Sequence, residues 1–451
     1  MKNNLKTNLK DIRKLLVDKN AEGVKEILDL LHLPAILDIF NHVSHAERAT
    51  LLRYLQKGNL PRVFSRLDAS HKQALLKELS EDETKDLLRS LKPDERVDLL
   101  VEVPRRTSKH LLKLLEPEDL AEAKKLLSYP KNSVGRLMTP HFVAVKKDWD
   151  VTQVLVHMKE RAKESETINV VYVVDGSWKL LGQIELNKII LADPEEKVAR
   201  IIDNRVAPLD ANSDQEQAVR YMNDHRSPVL PVVESDDKLV GIVTFDDIVD
   251  VALSETTEDI HKGSAIVPLN VSYRHSNIIQ LFDKRIGWLM ALVVVSLASS
   301  GVIAAFENTL ASVIALAFFI PLLIGSGGNA GAQAATLMIR AISVGEIRAR
   351  DWFKITGKEM LVGVSLATAL GLFSSLMGLF RGGYQVGLIV GLSMATIIIV
   401  TNLLGTLLPF VLNKFRIDPA VASGPLVTSV ADVIGLTIYF SIATVIIRSL
   451  G

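Results

Sequence analysis

The sequence predicts a multidomain protein: an α-helical superhelical N-terminal domain, a tandem α/β unit, a connecting helix and five transmembrane helices. Three patterns predict this organisation. Long uncharged stretches occur only after Lys284, pairs of leucines recur every 12 residues near the start, and two similar sets of β-type runs lie between them. We place the boundaries at 1–130 for the helical domain, 131–253 for the tandem unit, 254–280 for the connecting (plug) helix and 281–451 for the transmembrane domain.

The C-terminal part carries the pattern of a membrane domain. Crossing the hydrocarbon core takes roughly 20 apolar residues in a helix, and five stretches are long enough. Lys and Arg concentrate before the first stretch, between the second and third, and between the fourth and fifth, which places the N-terminus in the cytosol and the C-terminus outside. The stretches are 286–306, 308–339, 361–380 and 382–413, which lack charge, and 419–447, which is interrupted only by Asp432.

Composition narrows the chemistry of the protein. Before Lys284 there are 46 acidic and 41 basic residues, and this acidic balance argues against nucleic acid as a partner and favours cations. The absence of cysteine excludes disulfides and zinc-thiolate sites. We find no catalytic grouping or phosphate-binding loop, so the sequence does not predict an enzyme. The N-terminus lacks the apolar core of a signal peptide, which predicts that the first 283 residues stay in the cytosol of a cell whose inner membrane holds the spans.

Leucine pairs indicate the architecture of the N-terminal domain. They lie at 75–76, 87–88, 99–100 and 111–112, with a polar break in each period. One short helix per period, stacked on its neighbours, would bury these pairs in one continuous core.

The next segment predicts a duplicated α/β unit of about 65 residues, because β-type runs alternate with amphipathic stretches in two sets. Such units resemble tandem CBS domains, most closely from Pro228 to Val233 and over 239–248. In nucleotide-binding CBS pairs a Thr and the Asp three residues later hold ribose, and Thr244 and Asp247 match them. The first repeat departs from this pattern, so ATP binding at one site and a purely structural role for the pair both stay open. The runs are 142–145, 170–174 and 180–184, then 207–209, 229–233 and 239–243.

Asp432 is the most informative residue of the membrane domain. A carboxylate within an apolar span costs several kcal/mol unless water, a cation or a partner compensates it. The second uncharged stretch contains proline and glycines that allow unwound backbone around a wet cavity, although tight helix packing explains glycine equally well. At ~1.5 Å per residue the two regions reach similar depths, which predicts a site for hydrated Mg²⁺. A protonated Asp432 bonded within the bundle is the alternative. The residues of the second stretch are Pro321, Gly325, Gly328 and Asn329.

Acidic residues also follow the duplicated unit at helical spacing. Carboxylates three and four residues apart share a helix face and repel one another, and a bound cation reverses this repulsion. A solvated acidic face is the alternative interpretation. These residues are Asp246, Asp247, Asp250, Glu255, Glu258 and Asp259.

Taken together, the chain resembles the MgtE family of magnesium channels, most specifically over 321–336 and 418–432. The resemblance implies a homodimer whose pore is lined by the second and fifth spans, with Asp432 facing hydrated Mg²⁺ beside Pro321, Gly325, Gly328 and Asn329. It also implies that cytosolic Mg²⁺ bridges acids of the soluble domains and closes the pore, with ATP at the CBS pair as an open question. The regulatory acids it implies are Asp94, Asp98, Asp214, Glu216, Asp247, Asp250, Glu255, Glu258 and Asp259.

Two other functions compete with a channel. A secondary transporter would also use interrupted helices, but the spans show no obvious inverted repeat and a single central acid leaves little for a coupling ion. A non-conducting membrane-anchored sensor of metal or nucleotide has no need of a buried Asp432. Oxygen ligands alone leave selectivity among Mg²⁺, Mn²⁺, Co²⁺ and Ca²⁺ open.

Overall fold

The computed structural model describes residues 2–18, 20–56, 58–269, 273, 276–347, 349–415 and 417–450. Contacts within the chain divide it into two units, residues 1–253 and 254–451, which we describe separately. The first unit contains the stacked helices and the α/β repeats. The second contains the end of a long acidic helix and all the apolar helices.

The first unit begins with a helical stack in which each helix packs mainly against the second one along the chain. Leucines of the 12-residue period, including Leu75, Leu87, Leu99 and Leu111, are buried in one cluster, which confirms the predicted continuous core. The helices are Lys2–Val17 (α1), Ala21–Leu30 (α2), Leu33–His42 (α3), His45–Tyr54 (α4), Leu60–Ser65 (α5), Ala69–Glu78 (α6), Glu81–Ser90 (α7), Pro93–Glu102 (α8), Arg105–Leu114 (α9) and Pro117–Ser128 (α10).

Two buried arginines show how the stack repeats. Arg48 donates from Nε to the carbonyl oxygen of Phe40 at 2.7 Å, eight residues earlier. Arg96 makes the corresponding bond to Leu88 at 3.1 Å. Each guanidinium therefore satisfies carbonyl groups that the end of the preceding helix leaves without partners.

Two three-stranded sheets of the same topology follow. The first contains Ala144–Lys146 (β1), Val170–Val174 (β2) and Leu180–Glu185 (β3), and the second contains Leu209–Asp210 (β4), Val229–Glu234 (β5) and Lys238–Thr244 (β6). In each sheet the first strand is parallel to the central strand and the third is antiparallel to it, which confirms the duplication. The helices of this region are Val134–Leu137 (α11), Val151–Arg161 (α12), Leu186–Leu191 (α13), Val198–Ile201 (α14) and Gln215–His225 (α15).

The acidic helix Phe245–Gly263 (α16) differs from the predicted connecting helix 254–280. It starts directly after β6 and ends where Ala265 adopts a left-handed φ of 55°, with Pro268 soon after. Neither a left-handed backbone conformation nor a proline is compatible with a continuing α-helix. Of the residues up to the next helix, 270–272, 274 and 275 lie outside the described part of the chain.

The described part of the second unit contains four helices long and apolar enough to span a membrane: α17, α19, α20 and α21. The longest, of 63 residues, bends back at Gly383, whose φ of 76° and ψ of −171° are accessible mainly to glycine. Its arms 352–382 and 384–414 correspond to the predicted third and fourth spans, which gives five crossings. The helices are Ile278–Ala305 (α17), Glu307–Ser312 (α18), Ile320–Ser343 (α19), Trp352–Lys414 (α20) and Gly424–Leu450 (α21).

Glycines bring α19 and α20 into close contact. A Cβ atom built on Gly405 would lie 2.1 Å from the backbone oxygen of Gly331, and one on Gly327 would lie 2.5 Å from the side chain of Ile397. Close approach of this kind is how membrane helices gain van der Waals contact without a hydrophobic driving force. The spacing between α19 and the second arm of α20 therefore depends on residues without side chains.

We predict that Gly405→Ala lowers the unfolding temperature of the purified protein in detergent, because its methyl group overlaps backbone of α19 and overpacking costs about 1–3 kcal/mol. Gly357→Ala is the matched control, because Gly357 lies in the same helix and a Cβ there would have no neighbouring atom within 4 Å. Thermal unfolding followed by intrinsic fluorescence measures the difference. Equal unfolding temperatures for the two variants would contradict this account of the packing.

Candidate cation sites

Asp432 lies on α21, which packs against α19. A Cβ on Gly328 would approach Thr428 to 3.2 Å, and one on Gly424 would lie 4.0 Å from Ala332. Residue numbers therefore rise along one helix as they fall along the other, so the pair is antiparallel. One turn beyond Thr428, this register places Asp432 level with Gly325.

The carboxylate of Asp432 has no compensating partner within the described part of the chain. The residue is partly buried, and no residue of the described ranges forms a hydrogen bond or ion pair with it. The alternative of an Asp432 hydrogen-bonded within its own bundle is therefore absent from this part of the structure. A carboxylate at such a position needs water or a cation.

One face of α19 remains uncovered at the same level. Pro321, Gly325, Asn329 and Gln333 are four residues apart, share that face and are exposed, whereas Gly327, Gly331 and their neighbours on the other side are buried. Two of the exposed residues carry side-chain amides, which is unusual for a lipid-facing surface.

The structure distinguishes the two interpretations of the glycines in this segment. The helix α19 is continuous over 320–343, so the glycines do not unwind it, and Pro321 lies in its first turn, where no intrahelical bond is lost. Gly328 is buried against Thr428 and contributes to helix packing within the chain, and its assignment to the pore stays a prediction. The sequence contained the physical reason, since glycine serves packing as readily as unwinding.

At the end of α16, a lysine lies between two carboxylates. Lys262 Nζ is 2.6 Å from Glu258 Oε1 and also forms an ion pair with Asp418, just before α21. Burial alone would lower the pKa of Lys262, but the bonds to Asp418 and Glu258 raise it. Burial, followed by the charge of Asp418, raises the pKa of Asp259, whose carboxylate also accepts a hydrogen bond from Ser343 at the end of α19.

In the first unit, three predicted acids share one electrostatic environment. Asp94 is 7% exposed, and burial followed by the charge of Asp247 raises its pKa well above the usual value. Burial also raises the pKa of Asp247 to about 6, against a hydrogen bond from Thr244. Asp98 lies one turn after Asp94 and is exposed. Desolvation by neighbouring protein atoms raises the pKa of Asp98, and the negative charges of Glu102 and Asp247 raise it further.

Lys92, which the sequence did not single out, lies beside this cluster. Its ammonium group bonds to Glu166 and lies 3.9 Å from Asp246. It therefore links the helical stack to both α/β repeats. The Thr244 hydroxyl lies 2.5 Å from Asp246 and 2.6 Å from Asp247, so it donates to these carboxylates in turn.

The remaining predicted acids have local roles in the described structure. Asp214 caps α15 by accepting the backbone N–H of Glu216 at 2.9 Å, and Glu216 forms an ion pair with Arg220. Asp250 is exposed on α16, and Glu255 is partly buried one turn further on.

The donor set of the first unit fits a hard cation better than it fits a closed metal site. No group of three His, Asp or Glu residues in the described ranges is arranged to hold a metal ion. Yet Asp94 Oδ1 is fully buried and has no hydrogen-bond partner among the described residues. A buried carboxylate oxygen without a partner calls for compensation, which a cation that retains several of its waters would supply.

We predict that Asp94→Asn raises the metal-free stability of the full-length protein, because it removes a buried carboxyl group with an unpaired oxygen, whose desolvation costs about 1–3 kcal/mol. It should also reduce the stabilisation by millimolar Mg²⁺. Asp29→Asn, an exposed acid of the same stack, is the control. Thermal unfolding in detergent with and without Mg²⁺ measures both effects. An unchanged Mg²⁺ stabilisation in Asp94→Asn would remove this carboxylate from the cation site.

Comparisons with known proteins cover nearly the whole chain. The MgtE family model, described as a divalent cation transporter, matches residues 320–442, the MgtE intracellular N domain matches 31–132, and CBS domains match 134–195 and 198–254. The chain is 37% identical to the magnesium transporter MgtE of Thermus thermophilus over 97% of this chain and 98% of that one. It is 31% identical to that of Bacillus subtilis over 97% and 96%. The crystal structure of the cytosolic domain of the Mg²⁺ channel MgtE in complex with ATP superposes with a TM-score of 0.52 at 32% identity, covering 54% of this chain and 99% of that one.

Proposed function

Because the chain belongs to the MgtE family, as a multi-pass membrane protein with cytoplasmic soluble domains, we propose that it is a Mg²⁺ channel closed by cytosolic Mg²⁺. Transport of Mg²⁺ is the activity named for its relatives. The finer proposal is passive influx through a path that contains Asp432. The single observation that carries it is a carboxylate within a spanning helix that no described residue of its own chain compensates.

A homodimer completes this path. The uncovered face of α19 and the partly buried Asp432 lie at one level, so a two-fold axis beside them brings two carboxylates together. Two negative charges balance one Mg²⁺, and the amides of Asn329 and Gln333 offer hydrogen bonds to its retained waters. Mg²⁺ sheds water reluctantly, so a wide site with few carboxylates suits it.

Closure follows from the acids outside the membrane. Without a cation, the carboxylates around Asp94 and Asp247, and those at the end of α16, repel one another. Bound Mg²⁺ replaces repulsion by attraction and favours the state in which they are close. An ion can shift the gating equilibrium only through such differential binding. Asp214, Glu216 and Asp250 stay candidates for the same role. ATP at Thr244 and Asp247 also stays a prediction, and a ribose there would have to replace the bond between these two residues.

We predict that Asp432→Ala abolishes Mg²⁺ influx into proteoliposomes at low internal Mg²⁺, because hydrated Mg²⁺ then crosses the apolar span without a compensating charge. Glu307→Gln, an acid of the same unit at the start of α18, is the control and should retain wild-type flux. A Mg²⁺-sensitive dye inside the vesicles measures the flux.

The same measurement separates the alternatives. Flux lost in Asp432→Ala alone supports the proposed path, whereas equal flux in both variants places the cation site elsewhere. Absent flux in wild type at every Mg²⁺ concentration favours a non-conducting sensor. A requirement for a Na⁺ or proton gradient would instead establish a secondary transporter.

We predict that replacing Glu255, Glu258 and Asp259 by their amides leaves influx active at high internal Mg²⁺, because α16 loses the charges that a cation would bridge. The matched control neutralises Asp193, Glu195 and Glu196, which lie outside every predicted site. Internal Mg²⁺ is varied in the flux assay. Wild-type shut-off in the α16 variant would refute the assignment of these acids to the sensor.

A further inference from the structure

Lys262 lies at the end of α16, beside the segment of chain that leads into α21. Its Nζ lies 2.6 Å from Glu258 Oε1 on its own helix and contacts Asp418 Oδ2, and the lysine side chain is 26% exposed. Asp418 Oδ1 in turn accepts the backbone N–H of Ala420 at 2.9 Å. The carboxylate is therefore fixed to the backbone six residues before the start of the helix that carries Asp432.

The local charge is unbalanced around this ammonium group. Glu258 and Asp418 both bond to it, and the charge of Asp418 also acts on Asp259. Asp259 contacts Ser343, the last residue of α19. One positive charge thus lies among three carboxylates, at the ends of both helices that we assign to the pore.

We propose that Lys262 is a built-in counterion that positions α16 at the cytosolic ends of α19 and α21 when Mg²⁺ is absent. A metal ion that bridges Glu258 and Asp418 must displace its ammonium group. Lys262 therefore competes with regulatory Mg²⁺ and sets the concentration at which closure begins. This second role rests on the proposed Mg²⁺-dependent closure, whereas the metal-free contact does not.

The absence of native cysteine allows a direct test in the full-length protein. A Cβ on Gly424 would lie 4.0 Å from the backbone oxygen of Gly263, and one on Gly263 meets nothing within 4 Å. The pair Gly263→Cys and Gly424→Cys therefore reports the contact of α16 with α21 through disulfide formation. Thiols left unreacted are counted by the gel shift with maleimide-polyethylene glycol, over a series of free Mg²⁺ concentrations from chelated to millimolar.

In the cysteine-pair background, Lys262→Met should slow metal-free cross-linking about threefold, a factor typical of partly exposed ion pairs. It should also lower the Mg²⁺ concentration needed for half-maximal cross-linking, because the competitor is gone. Lys262→Arg keeps the charge and should retain metal-free cross-linking. Lys284→Met is the matched control, since Lys284 is a lysine of the same unit without an ion pair in the described residues.

Metal-free cross-linking of Lys262→Met at the rate of the parent would overturn the positioning role. An unchanged Mg²⁺ midpoint in Lys262→Met would overturn the competition. If cross-linking depends on Lys262 but Mg²⁺ changes it in no variant, the positioning role stands and the proposed Mg²⁺ closure fails. Loss of cross-linking in Lys262→Arg or Lys284→Met as well would indicate disturbed packing and overturn the assignment to a single ion pair.

Discussion

Carboxylates held where water is scarce constrain both halves of this protein. A buried or membrane-embedded carboxylate is unstable unless it is protonated, paired or supplied with a cation. Asp94 is buried with an orphaned oxygen, and Asp432 has no partner within the described chain. The first lies in a soluble domain and the second within a spanning helix. A divalent cation satisfies the same physical need at both places, which is why we propose one ion as both cargo and signal.

In the transmembrane domain, close packing at glycines determines which faces of α19 are covered. Gly327, Gly331 and Gly405 let α19 approach the second arm of α20, and Gly328 lets it approach α21. With those sides occupied, the face of α19 that carries Asn329 and Gln333 is left uncovered. The glycines therefore determine which side of α19 is available to a pore, although they do not form its wall by unwinding.

Lysine side chains partly neutralise the acidic clusters. Lys92 joins the helical stack to both α/β repeats through Glu166 and Asp246, and Lys262 joins α16 to Asp418. Each ammonium group neutralises its cluster only in part, because its single positive charge is smaller than the summed negative charge of the surrounding carboxylates. A cluster balanced in this way responds to a divalent cation more readily than a fully paired one, because a net negative charge remains.

The sequence by itself determined the order of the domains, the duplication and the five spans, and it singled out Asp432 as an acid within a span. These depend on local periodicity and on uncharged length, which do not require knowledge of distant contacts. Only the tertiary structure decided that α16 ends at Gly263, that Gly328 packs on Thr428, and that Lys92 and Lys262 form ion pairs with predicted acids. Lys92 and Glu166 are separated by 74 residues, and Lys262 and Asp418 by 156. No periodic pattern connects such positions, because their proximity arises when separate elements pack together.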